Sequence, residues 1–238
     1  MIKLVTFLKR ADSLTRPQFE QRWLTVHAPL ATVFPGLRGY MLGFSLESGE
    51  PAADGVAQLW FDSREAAQAS YASDIGRRGS ADASAYLKRR EHLLASEIWL
   101  SRARPLSATP FKLLIGVKRA EGQSRVDFTT WLNGDALSGL GTICRADQAR
   151  VSLDEAGLLL NSKTAGTLDL ATGEAVFDGL IELWFSKKTE AEVGQAQFRE
   201  WAPAALVPHI SRMEEALLQE HVVVQPPAPA YGLEAGKQ

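Results

Sequence analysis

Four side chains in this sequence could move or orient a proton near neutral pH without a cofactor: His27, Tyr86, Asp135 and His209. His27 follows Trp23 by four residues, one helical turn on, at the edge of an apolar stripe formed by Phe19, Trp23, Val26 and Leu30. An imidazole beside a semi-apolar pocket can serve as general base or acid; the alternative is a core histidine bonded to a backbone carbonyl. Tyr86 could donate a proton or orient a phenolic group, or simply pack in an amphipathic core. Matching Glu97 with Glu220 puts His209 in the place of Tyr86, where a helix-borne imidazole could also bind haem iron axially, although no haem-attachment motif is present. Asp135 aligns with His27 and reads either as a pocket carboxylate or as turn chemistry within Asn133-Gly134-Asp135. Trp23, Tyr40 and Trp60 would supply the aromatic walls for a flat ligand.

Other chemistries find less support. His27, His92, His209 and His221 show no HxxxH, HxH or CxxC spacing, so no metal site is expected. A GxSxG elbow, a GxGxxG turn and a P-loop are all missing, which argues against a serine hydrolase and against nucleotide cofactors. Lys3 and Lys112 recur at the same place in two similar strands and read as strand-face residues, not Schiff-base lysines. Cys144 is the only cysteine and ends a mostly apolar stretch; an inert buried thiol in a reducing compartment is expected. The net charge of −2 gives no reason to expect nucleic acid. No apolar run of about 18 residues suggests a membrane span, and no signal peptide is evident. A cytoplasmic location is the expectation.

The elements that must position these residues occur twice. Ile2–Ala11 returns as Phe111–Ala120, shifted by 109, and Asp54–Phe61 returns as Asp178–Phe185, shifted by 124. Trp23-Leu24 matches Trp131-Leu132. In the first copy Lys3–Lys9 reads as a strand, Thr15-Arg16-Pro17-Gln18 as a capped helix start, Gly39–Leu46 and Gly55–Phe61 as strands. A helix over about 82–94 leads to a last strand over 97–101. The order is β-α-β-β-α-β, the ferredoxin-like arrangement. The second copy repeats it, with a final helix over about 208–220 and a last strand over 221–224. The expected fold is α+β: two tandem ferredoxin-like units, residues 1–104 and 110–224, form an intramolecular barrel with helices outside. Residues 225–238 read as a flexible tail.

The first copy resembles the EthD family of the dimeric α+β barrel superfamily. The residues that carry this are the opening strand, Phe19 with Trp23, His27-Ala28-Pro29-Leu30, Gly36-Leu37-Arg38-Gly39-Tyr40 and Glu97-Ile98-Trp99-Leu100. The second copy resembles a degenerate EthD unit: it keeps Phe128 and Trp131 but lacks the His, the Pro and the Gly-Tyr pair. The resemblance implies a ligand pocket between sheet and helices of one unit, and chemistry on small organic molecules. Some relatives hold haem there. The expected function is a cofactor-independent lyase or isomerase acting on a small hydrophobic, aromatic or polyketide-like molecule, with His27 as acid/base and Tyr86 and Tyr40 assisting. A non-enzymatic metabolite-binding protein and a haem protein using His209 are the alternatives, and a homodimer of the whole barrel is allowed.

Overall fold

The computed structural model describes residues 1–100, 110–134, 137, 139–154, 159–161, 169–171 and 176–227. The first unit runs β1 (Ile2–Arg10), α1 (Arg16–Arg22), a π-helical turn (Trp23–His27), α2 (Ala28–Ala31), β2 (Gly39–Ser45), β3 (Gly55–Phe61), α3 (Arg64–Ala72), α4 (Asp74–Tyr86) and β4 (Leu87–Trp99). The second runs β5 (Phe111–Arg119), α5 (Arg125–Asn133), α6 (Leu140–Ile143), β6 (Gln148–Asp154), a β7–β8 hairpin (Leu159–Asn161 and Asp169–Ala171), β9 (Gly179–Phe185), α7 (Lys188–Ala205), a 3₁₀ turn (Val207–His209) and β10 (Ile210–Val224). Helix α1 starts as its sequence requires: the Thr15 hydroxyl accepts from Gln18 N–H and the Gln18 side chain accepts from Thr15 N–H at 2.8 Å.

Eight strands close into one barrel in the order β1-β3-β2-β10-β5-β9-β6-β4, with β4 returning to β1. Each ferredoxin-like sheet would bury only one face by itself. Here β4 of the first unit pairs with β6 of the second, and β10 of the second pairs with β2 of the first. Both sheet edges are thereby paired and closure leaves none exposed. The repeat holds at the level of register: Lys3 lies opposite Trp60 and Lys112 opposite Trp184, and Leu8 opposite Gly55 as Val117 is opposite Gly179.

Two boundaries differ from the sequence expectation. The segment expected to be helical over 82–94 is helix only to Tyr86 and strand from Leu87, and the segment over 208–220 is strand from Ile210. Helical spacing in these segments yields to long-range pairing. β4 hydrogen-bonds β1 along one edge and β6 along the other, and β10 bonds β5 and β2, so each strand gains two ladders. Tyr86 and His209 thus end helical turns instead of beginning helices. Their match survives, because Ala11 N–H donates to Tyr86 O and Ala120 N–H to His209 O. Of the expected tail, Pro226 packs at Gly39, where an added Cβ would lie 2.7 Å from its Cα; residues 228–238 lie outside the described residues, as does the linker over 101–109.

Alternation along the strands divides the core in two. Leu4, Leu8, Leu42 and Leu59 face the helices of the first unit, while Val5, Phe7, Val56 and Leu93 face the barrel interior with Leu114, Phe177 and Leu180 of the second. Near this apolar layer the barrel buries a charged one. Glu182 pairs with Lys3, with Lys112 at 3.2 Å and with Arg150 at 2.7 Å; Glu97 accepts from Lys3 at 3.1 Å; Lys112 also pairs with Glu220. The recurring lysines are therefore strand-face groups inside the barrel. Asp54 and Asp178 also recur for a structural reason. Each accepts the backbone N–H and the guanidinium of the arginine ending the first strand of its unit, Arg10 and Arg119.

Cys144 is fully buried under the helices of the second unit, and burial pushes its thiol up to about 11. Native protein treated with iodoacetamide at pH 8 should stay unmodified over the time in which unfolded protein is fully alkylated. A mass shift at equal rates in both states would overturn this assignment.

Candidate functional site

In the first unit the helices do not close fully onto the sheet. A pocket lies between them, walled by Trp23, Phe34, Tyr40, Tyr71 and Tyr86, with Thr6, His27, Ser80, Arg90 and His92 as its polar groups. About 490 Å³ of space lies between its walls and open mouth, of which about 40 Å³ is wide enough for water. A ring-sized ligand must therefore displace side chains on entry.

The helix carrying His27 is built around a close approach to the sheet. Trp23 is fully buried and its ring lies over Gly55, where an added Cβ would come within 2.4 Å of it. This is the physical reason for glycine after Asp54. Trp23 donates its indole N–H to the Tyr40 hydroxyl at 3.1 Å. The next turn widens to π geometry, Ala28 N–H reaching Trp23 O, and such turns recur at functional sites. His27 ends it, half-buried, with its ring 5.6 Å from that of Tyr86.

His27 Nδ1 lies 3.0 Å from Asp82 Oδ2, and Arg22 Nη2 lies 2.6 Å from Asp82 Oδ1. The hydrogen bond from His27 holds the Asp82 carboxyl below the usual range, helped by Arg22. An ionised Asp82 can only accept, so Nδ1 carries hydrogen and Nε2 keeps its lone pair. Sequence reasoning missed Asp82, because its partner is 55 residues away and nothing local marks it.

Tyr86 is 1% exposed, and its hydroxyl has no hydrogen-bond partner among the described residues. Burial pushes its phenol far up, as it does that of Tyr40. Both stay protonated and remain potential donors. The floor of the pocket holds a second imidazole. His92 is buried on β4, shares a 2.8 Å hydrogen bond with Thr6 Oγ1, and is pushed down to about 3 by burial and then by Arg90. It is neutral at working pH. His92, Thr6 and Arg90 join the site because β1 and β4 pair with these residues on the helix side, a placement visible only once β4 is a strand.

The structure thus brings together Trp23, His27, Tyr40 and Tyr86, and separates the other expected site residues from them. Trp60 points to the opposite side of its strand, into the barrel, where its indole donates to Glu97 at 3.1 Å; the alternation of β3 assigns it there. His209 stacks on Trp131 at 4.3 Å, so its ring is laid flat on an indole and is not presented to the pocket. Asp135 lies outside the described residues. Its match to His27 also loses its anchor: Gly179 takes the part of Gly55, and the side chain over it is Leu132, not Trp131. The second unit fills the corresponding space. The pairs Thr6–Ala57 and Ile115–Ile181 occupy equivalent registers, so larger apolar groups stand where the first unit is open. Among the described residues no cluster could hold a metal ion, and no helix is long and apolar enough to cross a membrane.

Residues 11–89 match a protein family described as EthD domain. No protein of curated function matches the chain. Among solved structures, an anthrone oxidase-like protein is similar over 96% of both chains, with 9% identity and a TM-score of 0.66. A candidate monooxygenase from Lactobacillus acidophilus NCFM is similar over 94% of this chain and 96% of its own, with 9% identity and a TM-score of 0.53. An ethyl tert-butyl ether D family protein from Bacillus halodurans C-125 is 24% identical, covering 41% of this chain and 99% of its own, with a TM-score of 0.38. The first two show the same two-unit barrel fold.

Proposed function

With an EthD domain as its first unit, we propose that the chain is a cofactor-independent enzyme acting on a small hydrophobic, aromatic or polyketide-like molecule by general acid/base chemistry of the lyase or isomerase type. The observation that carries this reading is the Asp82–His27 pair at the edge of an aromatic pocket. A base needs an oriented lone pair and a group to stabilise the cation formed on proton uptake; Asp82 supplies both functions for His27. The substrate would lie among Trp23, Phe34, Tyr40 and Tyr71, with water reduced to the little that the narrow pocket admits.

Catalysis belongs to the first unit alone in this reading, and the second unit completes the barrel. The sheet needs no further chain to close, so a homodimer would form through the outer surface. His27→Ala is expected to fold normally and to lose about 10²–10⁴-fold in turnover, the usual contribution of a positioned acid/base. Asp82→Asn should retain a smaller part of the loss and alter the pH profile. Full activity in the His27→Ala protein would sink the assignment. Saturable binding without turnover in the wild type would make the chain a metabolite-binding protein.

A further inference from the structure

We propose that the pocket takes an enolisable carbonyl compound, a ketone or β-dicarbonyl, and holds its oxygen on the Tyr86 hydroxyl with the Tyr40 hydroxyl beside it. This rests on the acid/base reading above and names the substrate class of that same site.

The argument starts from the one wall group that protein does not satisfy. A buried hydroxyl without a partner costs about 1–3 kcal/mol relative to a bonded one, and native structures keep few of them. Tyr86 could have been phenylalanine at no loss of packing: its ring already lies beside Phe19, with centroids 6.0 Å apart, and beneath the Arg22 guanidinium. Its hydroxyl is instead retained in the wall of the cavity, close enough to Tyr40 and Asp82 for both to act on its ionisation. The Tyr40 oxygen accepts from Trp23, which orients its own O–H toward the same pocket. Both phenols hold their protons through burial, so both can donate to a developing negative oxygen without being deprotonated by it. The third element is His27, whose ring adjoins Tyr86 and whose free Nε2 is the base.

These groups together fit one elementary step. His27 Nε2 takes the proton from the carbon next to the carbonyl. The C–H electron pair becomes the C=C bond of an enolate, and the carbonyl π pair moves to oxygen. That oxygen accepts from the tyrosine hydroxyls, which are already in place when the charge appears. Return of the proton from His27 to another carbon completes an isomerisation, and no oxidant or further reactant is consumed.

The test uses 4-nitrophenol, a flat acidic phenol whose anion imitates an enolate, and nitrobenzene, which has the same ring without the hydroxyl. Calorimetric titration of the full chain is expected to give 4-nitrophenol an advantage of about tenfold or more, the worth of satisfying a buried polar group. Tyr86→Phe should erase that advantage while unfolding at the same or a higher temperature than the wild type, because it removes an unpaired group. His27→Ala should keep the advantage. Equal affinity for both probes in the wild type, binding of neither, or an advantage preserved in Tyr86→Phe each overturns the inference and leaves the role of His27 standing. Turnover that survives His27→Ala overturns the acid/base reading, and the proton-abstraction step with it, on a different variant and a different signal.

Discussion

Glu182→Gln is expected to lower the free energy of unfolding by about 3–5 kcal/mol, the cost of removing one member of a buried ion cluster. Glu182 is fully buried among Lys3, Lys112 and Arg150 and also accepts from the Ser152 hydroxyl at 2.7 Å. Burial pushes its carboxyl up, but the three cations outweigh this, led by Arg150, and hold it well below the usual range. Glutamine keeps the shape and removes the charge, leaving three cations to share Glu97 and Glu220. The first unit shows how a neutral version is built. Barrel register pairs Arg150 with Glu182 and, at the equivalent positions, Met41 with Gln58. The double variant Arg150→Met with Glu182→Gln copies that pair and should recover most of the loss, since Lys3–Glu97 and Lys112–Glu220 still balance. Urea unfolding at neutral pH measures both. A single variant within about 1 kcal/mol of the wild type would mean that water reaches this layer and screens it.

The second large effect is a loss of stability in mild acid, traced to His92. Its folded-state value of about 3 lies below the ordinary 6.5, so the unfolded chain binds a proton that the folded one refuses. Stability from this group is complete above pH 6.5 and is lost as pH falls through the window down to about 3, at no more than about 1.4 kcal/mol per pH unit. Glu182 and Asp82 are also depressed, but their contributions are lost only below the ordinary carboxylate range. Glu20 and Glu47, raised by burial, act in the opposite sense at higher pH. The upper part of the window therefore belongs chiefly to His92. His92→Asn retains a partner for Thr6 and should flatten the dependence of unfolding free energy on pH between about 4.5 and 6.5. A slope unchanged by the substitution would show that His92 is protonated in the folded protein.

Local sequence fixed the kind of fold because duplication and strand alternation are visible without coordinates. The Lys3 and Lys112 segments match at a shift of 109, and barrel register reproduces that match. The Thr15 cap and the Trp23 stripe placed His27 correctly, since capping and helical spacing act within a few residues. The same local evidence misled at Leu87 and Ile210, where helical patterning gave way to strand pairing with partners from both units. It also aligned Trp131 with Trp23, because residue identity was used where burial over Gly179 decides for Leu132.

What sequence alone determined, then, is the two-unit α+β barrel, the capped helix that carries Trp23 and His27, and the strand-face role of the recurring lysines. Each follows from interactions between near neighbours or from a repeated period. Tertiary structure decided that Asp82, 55 residues from His27, orients its imidazole, that Trp60 belongs to the barrel and not the pocket, and that Tyr86 ends a helix with its hydroxyl unpaired. These are matters of which face a strand presents and what lies across a cavity. Only closure of the barrel sets them, because a one-residue difference in boundary or register turns a side chain to the other side of the sheet.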